Sequence, residues 1–314
     1  MLSMKREIIS IKSAYGDLVI KATVTVPDNP PIGIIHIMPD LLESRFRYDD
    51  FAAVLASYDY VAYTVDYRGT GQSVDENHPL GHFDDEKGWI NNLKDLNTFC
   101  QWFREKYRRL PYYIFAQGTG TLIARSYLKR YEYEINGMIL SGVPAYKPEF
   151  AMIKSLLPAV IKKEGPRKPN NSFMNWYYGG LDRKTKDRSD VNTWYSDDPA
   201  AVRQFNEDPL CGNTFTNAMT ADLMFAFKDV YVNRDWHALK KSLPILFMTG
   251  KEDVMANYPK GIKNAQDILI KAGYTNLDQI VYQNKRSNPL FGNANEEVYR
   301  DVLLWYNKVT DSYE

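Results

Sequence analysis

The sequence predicts an α/β fold, in which a mostly parallel, doubly wound sheet is interrupted by a helical cap insertion. Short apolar segments alternate with segments of helical spacing along most of the chain. Parallel strands that are buried on both faces are continuously apolar, and helices connect them across the faces of the sheet. The alternation stops between about residues 143 and 236, where prolines and polar runs accumulate, and it then resumes.

The first half of the chain supplies most of the predicted sheet. Apolar, β-branched runs bounded by turn residues indicate strands, and apolar residues three and four positions apart indicate helices. We predict strands over residues 18–26, 32–38, 60–66, 112–116 and 137–141. We predict helices over residues 47–57, 88–107 and 121–130.

The second half predicts an insertion followed by completion of the same sheet. Short helices are expected over residues 151–161 and 221–230, then a strand over 244–249, a helix over 260–272, a strand near 279–282 and a final helix over 295–307. We therefore predict a core of residues 1–143 and 237–314 and a cap of residues 144–236. The cap is expected above the carboxyl ends of the strands, where open α/β sheets bind ligands.

Composition excludes several partners. Lysine and arginine number 39, as do aspartate and glutamate, so net charge gives no reason to expect nucleic acid or an anionic membrane. The basic segment 162–168 is interpreted as a solvated face, so peripheral membrane contact is not expected. No apolar run approaches the roughly 18 residues that a membrane span requires.

Two further features bear on location. Cys100 and Cys211 form neither a disulfide framework nor a metal-binding pattern. The first ten residues carry charges and no apolar run, so they are not a secretory signal. We expect a cytoplasmic protein with reduced thiols.

Several motifs occur in an order that resembles one family. An Arg-Tyr pair at residues 47–48 precedes a helix, DYRGTGQS at 66–73 follows a strand, and GKED ends at Asp253. NEDPLCG at 206–212 lies within the predicted cap. Together they resemble the monoacylglycerol lipase and lysophospholipase group of α/β-hydrolases, whose members are often described as serine aminopeptidase-like. The resemblance implies an α/β-hydrolase fold and serine ester hydrolase ancestry.

The catalytic positions depart from this family. Its nucleophilic serine stands in Gly-x-Ser-x-Gly on a strand-to-helix elbow. Here FAQGTG occupies that place, with Ala116 at the first glycine and Gly118 at the nucleophile position. Ser287 stands at the histidine position, and a serine is no base near neutral pH. Of the triad, the resemblance leaves only Asp253, the acid.

The oxyanion region also departs. The family loop begins His-Gly, whereas this chain has HIMPD from His36, which reads as a longer loop. By resemblance, we place Met38, Gln117 and Thr119 at the ligand-binding or oxyanion position. Thr119 would contribute its backbone N–H, whereas its side chain is not expected to replace the nucleophile.

Structural interpretations remain open for several residues. Asp253 is expected to cap a turn or a helix start, and His36 to be a hydrogen-bonded structural residue. His78 and His82 have a spacing compatible with a metal but lack a clear third ligand, so no metal or cofactor is predicted. The aromatic cluster 173–178 fits an acyl pocket and cap-to-core packing equally well.

The sequence therefore favours a pseudoenzyme, which keeps a pocket for a small apolar or ester-like ligand, or which binds a protein partner. The alternative is an active carboxylic ester hydrolase of lipase or esterase type that uses a displaced nucleophile. A third possibility is a structural or regulatory subunit, which a filled and closed pocket would favour.

Overall fold

The computed structural model describes residues 5–232 and 235–312. Its described strands form one eight-stranded sheet with the order β1-β2-β4-β3-β5-β6-β7-β8. The strands are β1 (Lys5–Lys12), β2 (Val19–Val26), β3 (Gly33–Met38), β4 (Tyr60–Val65), β5 (Tyr112–Gln117), β6 (Gly137–Ser141), β7 (Ile245–Gly250) and β8 (Leu277–Tyr282). Strands β1 and β2 pair antiparallel to their neighbours, and β3 to β8 run parallel. The predicted fold class is confirmed.

Helices cover both faces of this sheet. They are α1 (Asp49–Ala56), α2 (Gly88–Lys106), α3 (Gly120–Tyr131), α4 (Glu149–Glu164), α5 (Asn171–Tyr177), α6 (Pro199–Glu207), α7 (Asn217–Tyr231), α8 (Lys260–Ala272) and α9 (Asn295–Asp311). Helices α1 and α9 pack on one face, where the rings of Phe51 and Phe115 lie 4.8 Å apart. Helices α2, α3 and α8 bury their apolar residues on the other face.

Four helices, α4 to α7, lie between β6 and β7, and we call residues 144–236 the inserted segment. Phe150 of α4 packs against Phe227 of α7, with ring centroids 4.2 Å apart. Phe173 and Tyr177 of α5 are buried and stack on each other at 5.5 Å. The aromatic cluster of residues 173–178 therefore contributes to packing within this segment.

The first strand was not predicted. β1 alternates between exposed and half-buried residues and pairs only with β2 at the edge of the sheet. Charged residues at Lys5, Arg6 and Glu7 obscure its apolar alternation, as is common on edge strands. Across the described residues, no helix is both long and apolar enough to cross a membrane.

Candidate functional site

The tight turn between β5 and α3 provides the strand-to-helix elbow that the sequence predicted. Strand β5 ends at Gln117, α3 begins at Gly120, and Gly118 between them has φ +55°. Its backbone N–H donates to the carbonyl of Ser141 at 2.8 Å, which fixes the turn against β6. Glycine adopts this left-handed conformation without the steric cost that a side chain would impose.

The carboxylate of Asp40 occupies the space directly above Gly118. A Cβ built on Gly118 would overlap the Asp40 carboxylate. Oδ2 of Asp40 accepts the backbone N–H of Thr119 at 2.7 Å, and Oδ1 accepts that of Leu42 at 2.9 Å. The backbone N–H that the resemblance assigned to an oxyanion therefore already has an internal acceptor.

A second bond holds this loop on the elbow. The Thr119 hydroxyl accepts the backbone N–H of Leu41 at 2.9 Å, so the side chain is engaged in structure. Burial raises the pKa of the Asp40 carboxyl, and the hydrogen bonds from Leu42 and Thr119 oppose part of that rise. The loop after β3 and the elbow therefore form one interlocked unit.

Asp253 follows β7 and accepts four hydrogen bonds. Its Oδ1 receives the Ser287 hydroxyl at 2.7 Å and the N–H groups of Met255 and Ala256 at 2.9 Å each. The hydroxyl of Thr249 donates to Oδ2 at 3.2 Å. Burial raises the pKa of this carboxyl, against the effect of the bonds. The two backbone bonds fit the turn-capping interpretation of Asp253.

The four histidines lie elsewhere, and within the described residues none is hydrogen-bonded to Asp253. His36 lies inside β3, stacked on Tyr63 at 4.3 Å, with Nδ1 bonded to the Tyr112 hydroxyl at 2.9 Å. Burial lowers the pKa of His36 to about 3, so its ring is neutral.

Two sequence-based placements around β3 are corrected by the same fact. The strand runs through His36 to Met38, and the following loop begins at Pro39. The loop therefore starts after Met38 and not at His36, and Asp40 rather than Met38 lines the space above the elbow. Gln117 lines that space, and its Nε2 donates to the Ser287 carbonyl at 3.0 Å.

His78 and His82 form side-chain hydrogen bonds from the loop before α2. His78 contacts Asp75 at 2.8 Å through Nδ1 and Asp84 at 2.9 Å through Nε2. His82 Nδ1 lies 2.9 Å from the Thr216 hydroxyl. The residues that the structure describes contain no group of three or more histidines, cysteines or carboxylates that could hold a metal ion.

A small cavity, here called the elbow cavity, remains between Gly118 and the inserted segment. Trp194, Tyr195 and Phe205 of the inserted segment line it, opposite Asp40 and Ser287. Its volume is about 20 Å³, which is room for about one water molecule. The space where a substrate would meet a nucleophile is thus filled by side chains of the chain itself.

Residues 193–196 are fastened to the loop that carries Ser287. The N–H of Asn288 donates to the Tyr195 carbonyl at 2.9 Å. The guanidinium of Arg286 donates to the carbonyls of Thr193 and Ser196 at 2.7 and 2.9 Å. We call this set of bonds the strap, because it joins the inserted segment to the core over the elbow cavity.

Two acidic residues of the site were missed from the sequence. Asp40 closes the elbow, and Glu43 is a fully buried acid that accepts hydrogen bonds from the hydroxyls of Tyr48 and Tyr195. Arg47 lies 3.6 Å from the Glu43 carboxylate. Asp40 follows the apolar strand β3 by two residues, and an acid at that position could have suggested a site residue. The local sequence did not indicate where its side chain would point.

The profile of the family described as serine aminopeptidase, S33, matches residues 29–286. The chain belongs to this family. The matched range includes the elbow and Asp253 and ends one residue before Ser287.

Relatives agree with this assignment. A monoacylglycerol lipase of Mycolicibacterium smegmatis is 24% identical over 248 residues, which cover 77% of each protein. A carboxyl esterase from Bacillus coagulans superposes with a TM-score of 0.87 at 21% identity, covering 98% of this chain and 100% of the esterase. A monoglyceride lipase from Saccharomyces cerevisiae gives a TM-score of 0.74 at 17% identity, covering 98% of this chain and 97% of the lipase. At these identities the structural likeness establishes the α/β-hydrolase fold.

Proposed function

We propose that this chain is a non-hydrolytic member of the serine aminopeptidase S33 family, which acts by binding. The observation that carries the proposal is the Asp40 carboxylate, which stands above Gly118 and accepts the Thr119 N–H. Residues 144–236 would serve as a fixed cap over this site, and we expect the protein to act in the cytoplasm.

The chemistry of acyl transfer supports this proposal. Ester hydrolysis by this type of enzyme needs a nucleophile, a base that takes its proton, and donors for the oxyanion. Gly118 offers no hydroxyl, and Ser287 takes no proton near neutral pH. An ionised Asp40 would repel a developing oxyanion, because like charges raise each other's energy in a low-dielectric site.

The size of the elbow cavity bears on what would be bound. Ligand sites for small molecules usually enclose about 300–1,000 Å³, against about 20 Å³ here. A small apolar or ester-like ligand would require Trp194 and Tyr195 to move and the strap to break. A regulatory subunit, or a protein that binds a partner through its surface, requires neither change, so the closed cavity favours that form of the proposal.

One observation keeps the hydrolytic alternative testable. The Ser287 hydroxyl lines the elbow cavity and is hydrogen-bonded to Asp253. A displaced nucleophile in this cavity would therefore be Ser287, with Asp253 as the carboxylate that accepts its hydroxyl proton in a hydrogen bond. Without its triad, a serine hydrolase retains roughly 10³- to 10⁴-fold acceleration from binding and oxyanion contacts.

The test is a fluorophosphonate probe, combined with hydrolysis of p-nitrophenyl butyrate and a monoacylglycerol. We expect no labelling and no turnover above the uncatalysed rate in the wild-type protein. Ser287→Ala and Asp253→Asn are the informative variants, and Ser155→Ala is the control because Ser155 lies on the surface of α4. Labelling or turnover that survives Ser155→Ala but disappears in Ser287→Ala and Asp253→Asn would establish the hydrolytic alternative.

A further inference from the structure

An open cleft of about 470 Å³ lies beside the elbow cavity. Its walls come from residues 145–147 after β6, residues 184–186 of the inserted segment and residues 251–258 after β7. Met255 lines both this cleft and the elbow cavity. The cleft therefore belongs to the boundary between core and inserted segment, yet it is separate from the space above Gly118.

Four lysines line this cleft, and we call it the lysine cleft. They are Lys147, Lys184, Lys186 and Lys251. Two carboxylates share the lining, Glu252 and Asp253. Glu252 lies 3.6 Å from Lys186, and the Asp253 oxygens are occupied by the hydrogen bonds described above. A chain with zero formal net charge thus concentrates positive charge at one concave surface.

Among the described residues, Lys186 has a carboxylate partner and Lys251 donates to the Gln283 side chain at 2.9 Å, whereas Lys147 and Lys184 have neither kind of partner. In the described part of the chain, no carboxylate lies within 4 Å of the ammonium of either Lys147 or Lys184. Lys147 is half-buried, and its ammonium lies 5.1 and 4.7 Å from the ring centroids of Trp176 and Tyr177. These cation–π contacts pair the Lys147 ammonium with rings of α5, and the same side chain also lines the cleft.

Positive charges lie close together at this cleft. Burial lowers the pKa of Lys147 and the nearby positive charge of Lys184 lowers it further, while the carboxylate of Glu149 opposes part of that fall. An anion placed between the two ammonium groups would remove that repulsion and form charge-assisted hydrogen bonds with both. The lining also offers the polar side chains of Tyr146, Asn257 and Tyr258.

We propose that the lysine cleft binds a small organic phosphate, specifically a phosphate monoester that carries two negative charges. Lys147 and Lys184 contact the phosphate, and the polar side chains contact the organic part. The volume lies within the range of small-molecule sites. The charged lining disfavours apolar esters, the kind of substrate that the names of the related lipases indicate. The proposal is independent of whether Gly118 has abolished hydrolysis, because it concerns a different cavity.

Isothermal titration of the full chain with glycerol 3-phosphate, inorganic phosphate and glycerol tests this assignment. We expect both phosphates to bind, glycerol 3-phosphate more tightly, and glycerol not to bind. Lys147→Gln and Lys184→Gln should each weaken binding about tenfold, the change expected on loss of one charge-assisted contact. Lys308→Gln is the matched control: it removes one exposed charge from α9, outside the cleft, and should leave affinity unchanged.

A second measurement uses the wild-type protein alone. Acetylation rates mapped by mass spectrometry should fall at Lys147 and Lys184 when glycerol 3-phosphate is added, and stay constant at Lys308. The proposal is overturned if the wild-type protein does not bind either phosphate, if glycerol binds as well as its phosphate, or if all three variants weaken binding equally. Unchanged acetylation at Lys147 and Lys184 would overturn it as well.

Discussion

The elbow cavity and the lysine cleft are neighbours with opposite properties. The elbow cavity is filled by Asp40 and covered by Trp194 and Tyr195, and the Asp40 carboxylate accepts hydrogen bonds from the chain itself. The lysine cleft is open, and among the described residues no carboxylate lies within 4 Å of the ammonium groups of Lys147, Lys184 and Lys251. Met255 alone belongs to both linings.

The elbow cavity is filled by side chains of the protein itself, whereas the lysine cleft is open to a ligand. The half-buried Asp40 carboxylate accepts two backbone N–H groups and is satisfied internally, so its removal should affect stability. The repulsion between Lys147 and Lys184 offsets the contacts of Lys147 with Trp176 and Tyr177, so these lysines should be replaceable with little loss of stability. Substitutions in the two regions can therefore confirm or break the comparison.

The largest effect is expected at Gly118. Gly118→Ala should lower the free energy of unfolding by about 3 kcal/mol, because the methyl group meets the Asp40 carboxylate and the left-handed backbone disfavours alanine. In an Asp40→Gly background the cost should fall to about 1 kcal/mol, since only the backbone strain remains. Urea denaturation of the four proteins measures this coupling.

Gly273→Ala is the control for this cycle. Gly273 ends α8 with φ +111°, and the nearest atom to an added Cβ is 3.6 Å away, so only the backbone is strained. Its cost of about 1 kcal/mol should be the same with Asp40 or Gly at position 40. Additive effects of Gly118→Ala and Asp40→Gly would mean that Asp40 does not fill the elbow.

A smaller effect is expected at Asp222, a half-buried residue of α7 whose Oδ2 is buried and which contrasts with the well-bonded Asp40. Its Oδ2 has no hydrogen-bond partner among the described residues, and burial raises its pKa to about 7. The folded protein then binds this proton more tightly than the unfolded chain, so stability falls as the pH rises from about 4 to about 7.

Asp222→Asn should remove that pH dependence and raise stability at pH 8 by on the order of 1–2 kcal/mol, because no charge is then buried. Thermal unfolding across the pH range measures the effect. Asp278→Asn, an exposed carboxylate of β8, is the control and should leave the profile as in the wild-type protein. A profile that still declines in Asp222→Asn would assign the pH dependence to another group.

The smallest effect is expected in the lysine cleft. Lys147→Gln combined with Lys184→Gln should change the free energy of unfolding by no more than about 0.5 kcal/mol, the usual range for surface substitutions. At low salt the change should be a slight stabilisation, because a like-charge repulsion is removed. A loss comparable to that of Gly118→Ala would show that these lysines serve the fold, and the comparison would fail.

Most of the sheet could be predicted from the sequence, because the signal for each strand lies within the strand itself. Strands β3, β4, β5 and β6 are buried on both faces, so each is a continuous apolar run whose ends the sequence located within one residue or two. The elbow at Gly118 was also predictable, because glycines at fixed spacing between a strand and a helix specify a tight turn.

The content of the site was less predictable, because it depends on contacts between distant residues. Asp40 meets Thr119 across 79 positions of the chain, and Ser287 meets Asp253 across 34. Sequence reasoning placed Met38 at this point because it assumed that the loop began at His36. The actual register of β3 against β5, with Met38 opposite Ala116, puts the next two residues over the elbow.

The strap determines how often and how fast solvent can reach Gly118. Its bonds are backbone carbonyls paired with a backbone N–H and with a buried guanidinium, so exposing Gly118 breaks several at once. Such an opening is a local unfolding event, slower and rarer than the swing of a hinged lid. The hydrogen-exchange rate of the Asn288 amide should therefore measure how often the strap opens.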